Sequence, residues 1–180
     1  SAYFRRENRS LSPSDYRKVI EGWLTRGATG AKVLKLETRD RPGDWGFDLD
    51  VEFSAAQYGQ VMQNRLLVFK PIVVGRRDGV FLTDAKRSNP IEFDSKSMRE
   101  TIIYSLPTNF SIDEVPETVK IDASFGSYAA AFTVKDGKLL IERSLILRRG
   151  VIEPARYPEV RTFFSKILEA EQSPVVLVRK

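Results

Sequence analysis

Three acidic residues alternate with apolar ones in a short segment and are the strongest candidates for chemistry in this sequence. In FDLDVEF, residues 47–53, Asp48, Asp50 and Glu52 share one face of a predicted strand. Residues two apart on a strand lie roughly 6.5–7 Å apart, a spacing that could hold Ca²⁺ or place a general acid and a general base across a substrate. The alternative is a solvated sheet face on which Lys or Arg of a neighbouring strand pairs with these acids. We favour this alternative, because the glycine-containing loop of an EF-hand is absent and a flat strand face offers no cavity.

Trp45 stands just before this segment, in a Pro-Gly-Asp-Trp-Gly turn. An exposed indole at such a turn could stack on a sugar ring or contact a partner. Together with the acidic face, it supports the hypothesis of a carbohydrate-binding or carbohydrate-acting domain. The alternative is that the indole folds back onto the edge of the protein.

The composition excludes most other catalytic sites. The 180 residues include no Cys and no His, which rules out Ser-His-Asp, Cys-His and zinc chemistry within this chain. No Ser stands three residues before a Lys, and GATGAK, residues 27–32, is one residue short of a phosphate-binding loop. We therefore expect no catalytic residues, no bound cofactor and no enzymatic activity in this chain.

The charge distribution favours neither nucleic acid nor membrane as a partner. The net charge is +5, from 29 Lys and Arg against 24 Asp and Glu, and no block of five or six like charges occurs. No apolar run approaches the roughly 18 residues that span a bilayer. The expected partners are a neighbouring domain of the same polypeptide, another protein or a glycan.

The periodicity of apolar residues predicts a mainly β protein, an antiparallel β-sandwich with one N-terminal and one C-terminal helix. Residues 11–27 and 157–173 have helical spacing, and residues 1–10 are predicted to be a tail or an entering strand. Predicted strands include residues 31–39, 47–53 and 61–74, followed by others up to the C-terminal PVVLVRK. We expect residues 1–180 to form a single accessory domain, with a possible internal boundary at residues 75–89.

The segment TVKDGKLLIERSLILRRG, residues 133–150, contains an apolar strand face interrupted by a charge. Asp136-Gly137 predicts a tight hairpin turn, because both positions favour positive φ. Arg143 shares a strand face with Leu139, Ile141, Leu145 and Leu147. An arginine on an apolar face is costly unless it is paired, so we expect Arg143 to contact a buried or rim acid in an architectural role.

The C-terminal half resembles the C-terminal domain of bacterial exported proteins that contain a transglutaminase-like domain. The resemblance is firm over residues 97–180 and less distinctive before them. Its motifs are structural: Leu106-Pro107 at a strand end, the Val115-Pro116 turn, the Asp136-Gly137 hairpin, Arg143, and Tyr157-Pro158 at the start of the last helix.

The resemblance implies an accessory β-sandwich domain in a larger transglutaminase-like protein, located in the periplasm or outside the cell. Transglutaminase-like chemistry needs Cys, His and Asp, so none of that family's catalytic residues has a counterpart here. The sequence has neither a starting Met nor a signal peptide, and we expect it to be a processed protein or a piece of a longer one.

Overall fold

The computed structural model describes residues 2–44, 46–56, 58–76, 79 and 82–180. Within these ranges the chain is mainly β, as predicted, and all its strand pairs are antiparallel. The helices and strands, in chain order, are α1 (Ala2–Ser10), α2 (Pro13–Thr25), β1 (Ala31–Arg41), β2 (Gly46–Ala55), β3 (Gln60–Met62), β4 (Leu66–Phe69), β5 (Ile91–Phe93), β6 (Lys96–Ser105), β7 (Phe110–Glu114), β8 (Val119–Ala123), β9 (Gly126–Lys135), β10 (Lys138–Leu147), β11 (Gly150–Ile152), α3 (Tyr157–Gln172) and β12 (Val175–Arg179).

The chain forms two compact units. The first comprises residues 1–58 and 72–75, and the second comprises residues 59–71 and 76–180. The predicted internal boundary at residues 75–89 includes residues 77, 78, 80 and 81, which lie outside the described part of the chain. The other residues of that segment belong to no helix or strand.

In the first unit, α2 forms where its periodicity predicts a helix. The Ser12 hydroxyl accepts a hydrogen bond from the Asp15 backbone N–H at 3.2 Å, and Pro13 occupies the first turn, where its missing N–H costs nothing. The helix buries Tyr16, Ile20 and Leu24. Val19 and Trp23 share the apolar spacing but remain half-buried.

The N-terminal segment differs from its prediction, because residues 2–10 form the helix α1 instead of a tail or a strand. Its contacts explain why it is ordered. The Arg5 Nε lies 3.0 Å from the Asp40 Oδ1, and the Phe4 and Trp23 rings are 4.5 Å apart. A single short helix is marginal in water, so these contacts with β1 and α2 supply the stability that local propensity lacks.

The hairpin of β1 and β2 places a backbone irregularity under α2. The register shifts between Val33 and Lys35, which disturbs the ladder of backbone hydrogen bonds. Two side chains one helical turn apart then bond to the Val33 backbone: Arg17 Nη1 donates to its carbonyl at 2.6 Å, and Glu21 Oε1 accepts from its N–H at 3.0 Å. The irregularity thus joins α2 to the hairpin.

The described residues of the second unit form two four-stranded sheets and a two-stranded one. Their strand orders are β6-β10-β9-β8, β3-β4-β12-β7 and β5-β11. Helix α3 packs its apolar stripe against the first sheet, and the buried residues of this core are Leu82, Phe125, Tyr128, Ala130, Leu145, Ile152, Tyr157, Val160, Phe163, Phe164, Ile167 and Ala170.

Two turns of the second unit depend on positive φ angles. The predicted Asp136-Gly137 hairpin is present, with φ of 50° and 69°, and connects β9 to β10. The sequence predicted one strand over residues 61–74 with an edge or a bend at Pro71, and the structure has two shorter strands there. Gln63 and Asn64 have φ of 50° and 52°, so the chain turns between β3 and β4, and β4 ends at Phe69.

Candidate functional site

The acidic face lies on β2, opposite a strand that carries both signs of charge. Asp48 pairs in register with Arg39, Glu52 with Lys35, and Asp50 with Glu37. The Asp48 Oδ2 is 3.0 Å from the Nε of Arg41. The solvated-face interpretation predicts basic cross-strand neighbours, which Asp48 and Glu52 have and Asp50 does not.

The charges on this hairpin act on one another. The Glu37 carboxylate, with smaller contributions from Glu52 and Asp50, raises the pKa of the Lys35 ammonium. Among the described residues, no group of three or more acidic, His or Cys side chains could hold a metal ion. The acids of this face therefore lie one after another along the β1–β2 hairpin, among other charged side chains. The other candidate of this region, Trp45, lies outside the described residues.

Arg143 is at the centre of a buried ionic cluster in the second unit. It lies on β10, directly opposite Glu100 of β6. Its Nη2 is 2.6 Å from the Glu100 Oε2, and its Nη1 is 2.8 Å from the Glu171 Oε1 near the end of α3. The side chains of Arg143 and Glu171 are each 1% exposed and that of Glu100 is 14% exposed. The sequence predicted one acidic partner for Arg143, and the structure provides two. Glu142, the next residue, is exposed.

The cluster joins two carboxylates to one guanidinium in a place that water hardly reaches. Burial raises the pKa of the Glu100 carboxyl above its ordinary value of 4.5. The nearby Arg143 opposes this rise, and the Glu171 carboxylate adds to it. A ligand cannot reach groups that are 1% exposed, so the arrangement suits the linking of β6, β10 and α3 and not the binding of a substrate.

Sequence reasoning missed Glu100 and Glu171, although both carry a detectable signal. Glu100 continues the alternation of Met98, Ile102 and Tyr104 on one face of β6. Glu171 stands four residues after Ile167, on the buried stripe of α3. An acid at a core position of a strand and another at a core position of a helix are the partners that a buried arginine requires.

The raised pKa of Glu100 predicts a pH dependence of stability. The folded state keeps the Glu100 proton at pH values where the unfolded state has lost it. The stabilising contribution is therefore complete below pH 4.5 and is lost as the pH rises through the raised folded pKa. For one group, the free energy of unfolding falls by at most about 1.4 kcal/mol per pH unit. Urea unfolding followed by far-UV circular dichroism, at several pH values between about 4.5 and 8, measures this fall in the free energy of unfolding.

Two glutamine variants test the assignment of this pH dependence. Glu100→Gln removes the titrating group and should flatten the pH profile, whereas Glu142→Gln, at the exposed neighbour of Arg143, should leave it unchanged. The exposed carboxyls of Asp15, Glu37 and Glu159 have lowered pKa values and act below this pH window. An equal slope in the wild type and Glu100→Gln would contradict the assignment.

A groove of about 470 Å³ lies on the two N-terminal helices of the first unit. Tyr3 and Phe4 of α1 form one side, Val19 and Trp23 of α2 form the other, and Arg26 completes the lining. The Tyr3 and Phe4 rings meet edge to face, with centroids 5.2 Å apart. Sequence reasoning missed this groove because it did not predict α1, although Phe4 and Leu11 recur at the spacing of a helix.

Across the described part of the chain, no helix has both the length and the apolar character needed to cross a lipid bilayer.

Comparison with known proteins identifies the second unit more clearly than the first. A family described as a domain of unknown function with a solved structure, DUF3858, matches residues 64–177, a range that includes Glu100, Arg143 and Glu171. No curated protein matches the sequence. The crystal structure of a "putative protease" from Parabacteroides distasonis is similar in fold, with a TM-score of 0.53 and 15% identity. That match covers 64% of this chain and 24% of the other, so it spans about a quarter of the length of that protein. Since the family match covers more than half of the 180 residues, the chain belongs to the DUF3858 family.

Proposed function

We propose that this chain is a non-catalytic accessory module of a larger protein, in which it packs against or presents a neighbouring domain. The observation that carries the proposal is that the similar structure is a much longer chain, of which the matched part is only a fraction. The matched fold makes up 24% of that protein, which is described as a "putative protease", so the fold occurs there as one part of a longer chain. In this proposal residues 1–180 act together as one module.

The chemistry of the chain supports the same proposal. It offers no Cys and no His, and in the described part of the chain the charges around Arg143 are largely buried. Of the acids on β2, Asp48 and Glu52 lie opposite basic residues of β1, and Asp50 lies opposite the acid Glu37. A nucleophile and its base would therefore come from another domain.

The finer assignment rests on the resemblance to bacterial exported proteins with a transglutaminase-like domain. We place the catalytic domain N-terminal to Ser1 and the whole protein in the periplasm or outside the cell. The partner of this module is then the adjacent domain of the same polypeptide. The bacterial source of the structurally similar protein is in keeping with this context.

Activity assays of the purified chain and of the longer protein test the proposal. We expect the chain alone to cleave no casein and to transfer no acyl group to a fluorescent amine, at any pH between about 5 and 9. The longer protein should show its activity with or without changes at Asp50. Turnover by the pure chain that disappears in Asp50→Asn would overturn the proposal.

A further inference from the structure

The groove on α1 and α2 combines apolar side chains with one positively charged side chain. Its lining has three aromatic side chains, one valine and one arginine, and no acidic residue. Tyr3, at its rim, is 51% exposed, which is high for a large aromatic side chain. The Phe4 and Trp23 rings, 4.5 Å apart, form the floor of the groove. The ion pair between Arg5 of α1 and Asp40 of β1 holds α1 in place.

Arg26 gives the groove its charge. It is exposed at the C-terminal end of α2, and within the described ranges no carboxylate pairs with its guanidinium. The three arginines of α1 have acidic partners: Arg5 and Arg9 contact Asp40, and Arg6 contacts Glu7. Arg17 of α2 donates to the backbone carbonyl of Val33. Arg6 also lies over the Tyr3 ring, 5.6 Å from its centroid. Arg26 is thus the cation of the groove that is available to an anionic partner.

We propose that this groove binds an acidic peptide segment that carries an aromatic or large aliphatic side chain. The apolar side chain contacts Phe4, Val19 and Trp23, and a neighbouring carboxylate accepts hydrogen bonds from Arg26. A glycan fits this lining less well, because its many hydroxyl groups need several polar partners and the groove is largely apolar. The proposal deepens the accessory function and rests on it, since the segment would belong to the adjacent domain of the same polypeptide.

Titration of the full chain with a fluorescein-labelled peptide, Asp-Asp-Phe-Glu-Asp, tests the proposal by fluorescence polarisation. We expect saturable binding that weakens with added salt, and amide chemical-shift changes confined to residues 2–26. Replacing the phenylalanine of the peptide by serine, or its acids by amides, should each weaken binding about tenfold or more.

Arg26→Gln and Lys18→Gln form a matched pair of protein variants. Each removes one exposed positive charge from the region of α2, but only Arg26 lines the groove. Arg26→Gln should weaken binding about tenfold, and Lys18→Gln should change it less than twofold. Equal losses in the two variants, no binding at millimolar peptide, or shifts outside residues 2–26 would each overturn the proposal. Because the assay involves no catalysis, its failure leaves the activity test of the accessory function unaffected.

Discussion

Replacing Arg143 by methionine should lower the free energy of unfolding by about 3–5 kcal/mol, the largest effect of any single substitution considered for this chain. The substitution leaves the carboxylates of Glu100 and Glu171 buried without the guanidinium that lies 2.6 and 2.8 Å from them. Both tryptophans, Trp23 and Trp45, precede residue 59. Unfolding of the second unit is therefore best followed by far-UV circular dichroism and by hydrogen exchange of the β10 amides.

A triple variant separates the loss of the ion pairs from damage to packing. Arg143→Met combined with Glu100→Leu and Glu171→Leu replaces the whole cluster by apolar side chains. We expect it to recover most of the lost stability, because the desolvation cost of the charges disappears together with their attraction. Glu142→Gln, at the exposed neighbour, is the control and should change stability by less than about 0.5 kcal/mol. A triple variant as unstable as Arg143→Met would show that packing, and not charge, dominates at this position.

Gly27→Ala should destabilise the first unit by about 1–3 kcal/mol. A Cβ at residue 27 would lie 2.0 Å from the backbone oxygen of Val73 and 2.8 Å from its carbonyl carbon. Backbone atoms cannot move aside as a flexible side chain can, so the segment at residues 72–75 would have to shift. Urea unfolding followed by tryptophan fluorescence measures the effect, since Trp23 packs in this unit.

Gly22→Ala is the matched control for this substitution. Gly22 lies inside α2 with nothing within 4 Å of an added Cβ, so alanine should stabilise the helix by about 0.5–1 kcal/mol. The two glycines stand only one and a half helical turns apart, but the expected effects have opposite signs. A stabilising Gly27→Ala would mean that residues 72–75 do not approach the end of α2 as closely as the structure places them.

Local patterns in the sequence predicted much of the secondary structure. Alternating residues predicted β2, helical spacing and the Ser12 cap predicted α2, and Asp136-Gly137 predicted the hairpin of β9 and β10. These features depend on interactions between residues close in sequence, or on the backbone preferences of single residue types. Where local preference is weak, the prediction was wrong: α1 is held by Arg5 and Phe4, whose partners are distant in the chain.

The sequence by itself determined that Arg143 must have an acidic partner, because an unpaired guanidinium on an apolar strand face is too costly. Only the tertiary structure decided which acids fill that role. Glu100 reaches Arg143 through the register of β6 with β10, and Glu171 reaches it because α3 packs across the same sheet. The tertiary structure also decided that a groove lies beside Trp23 and that residue 27 must be glycine. Each depends on the approach of segments that are far apart in the sequence, and periodicity within one segment carries no information about that approach.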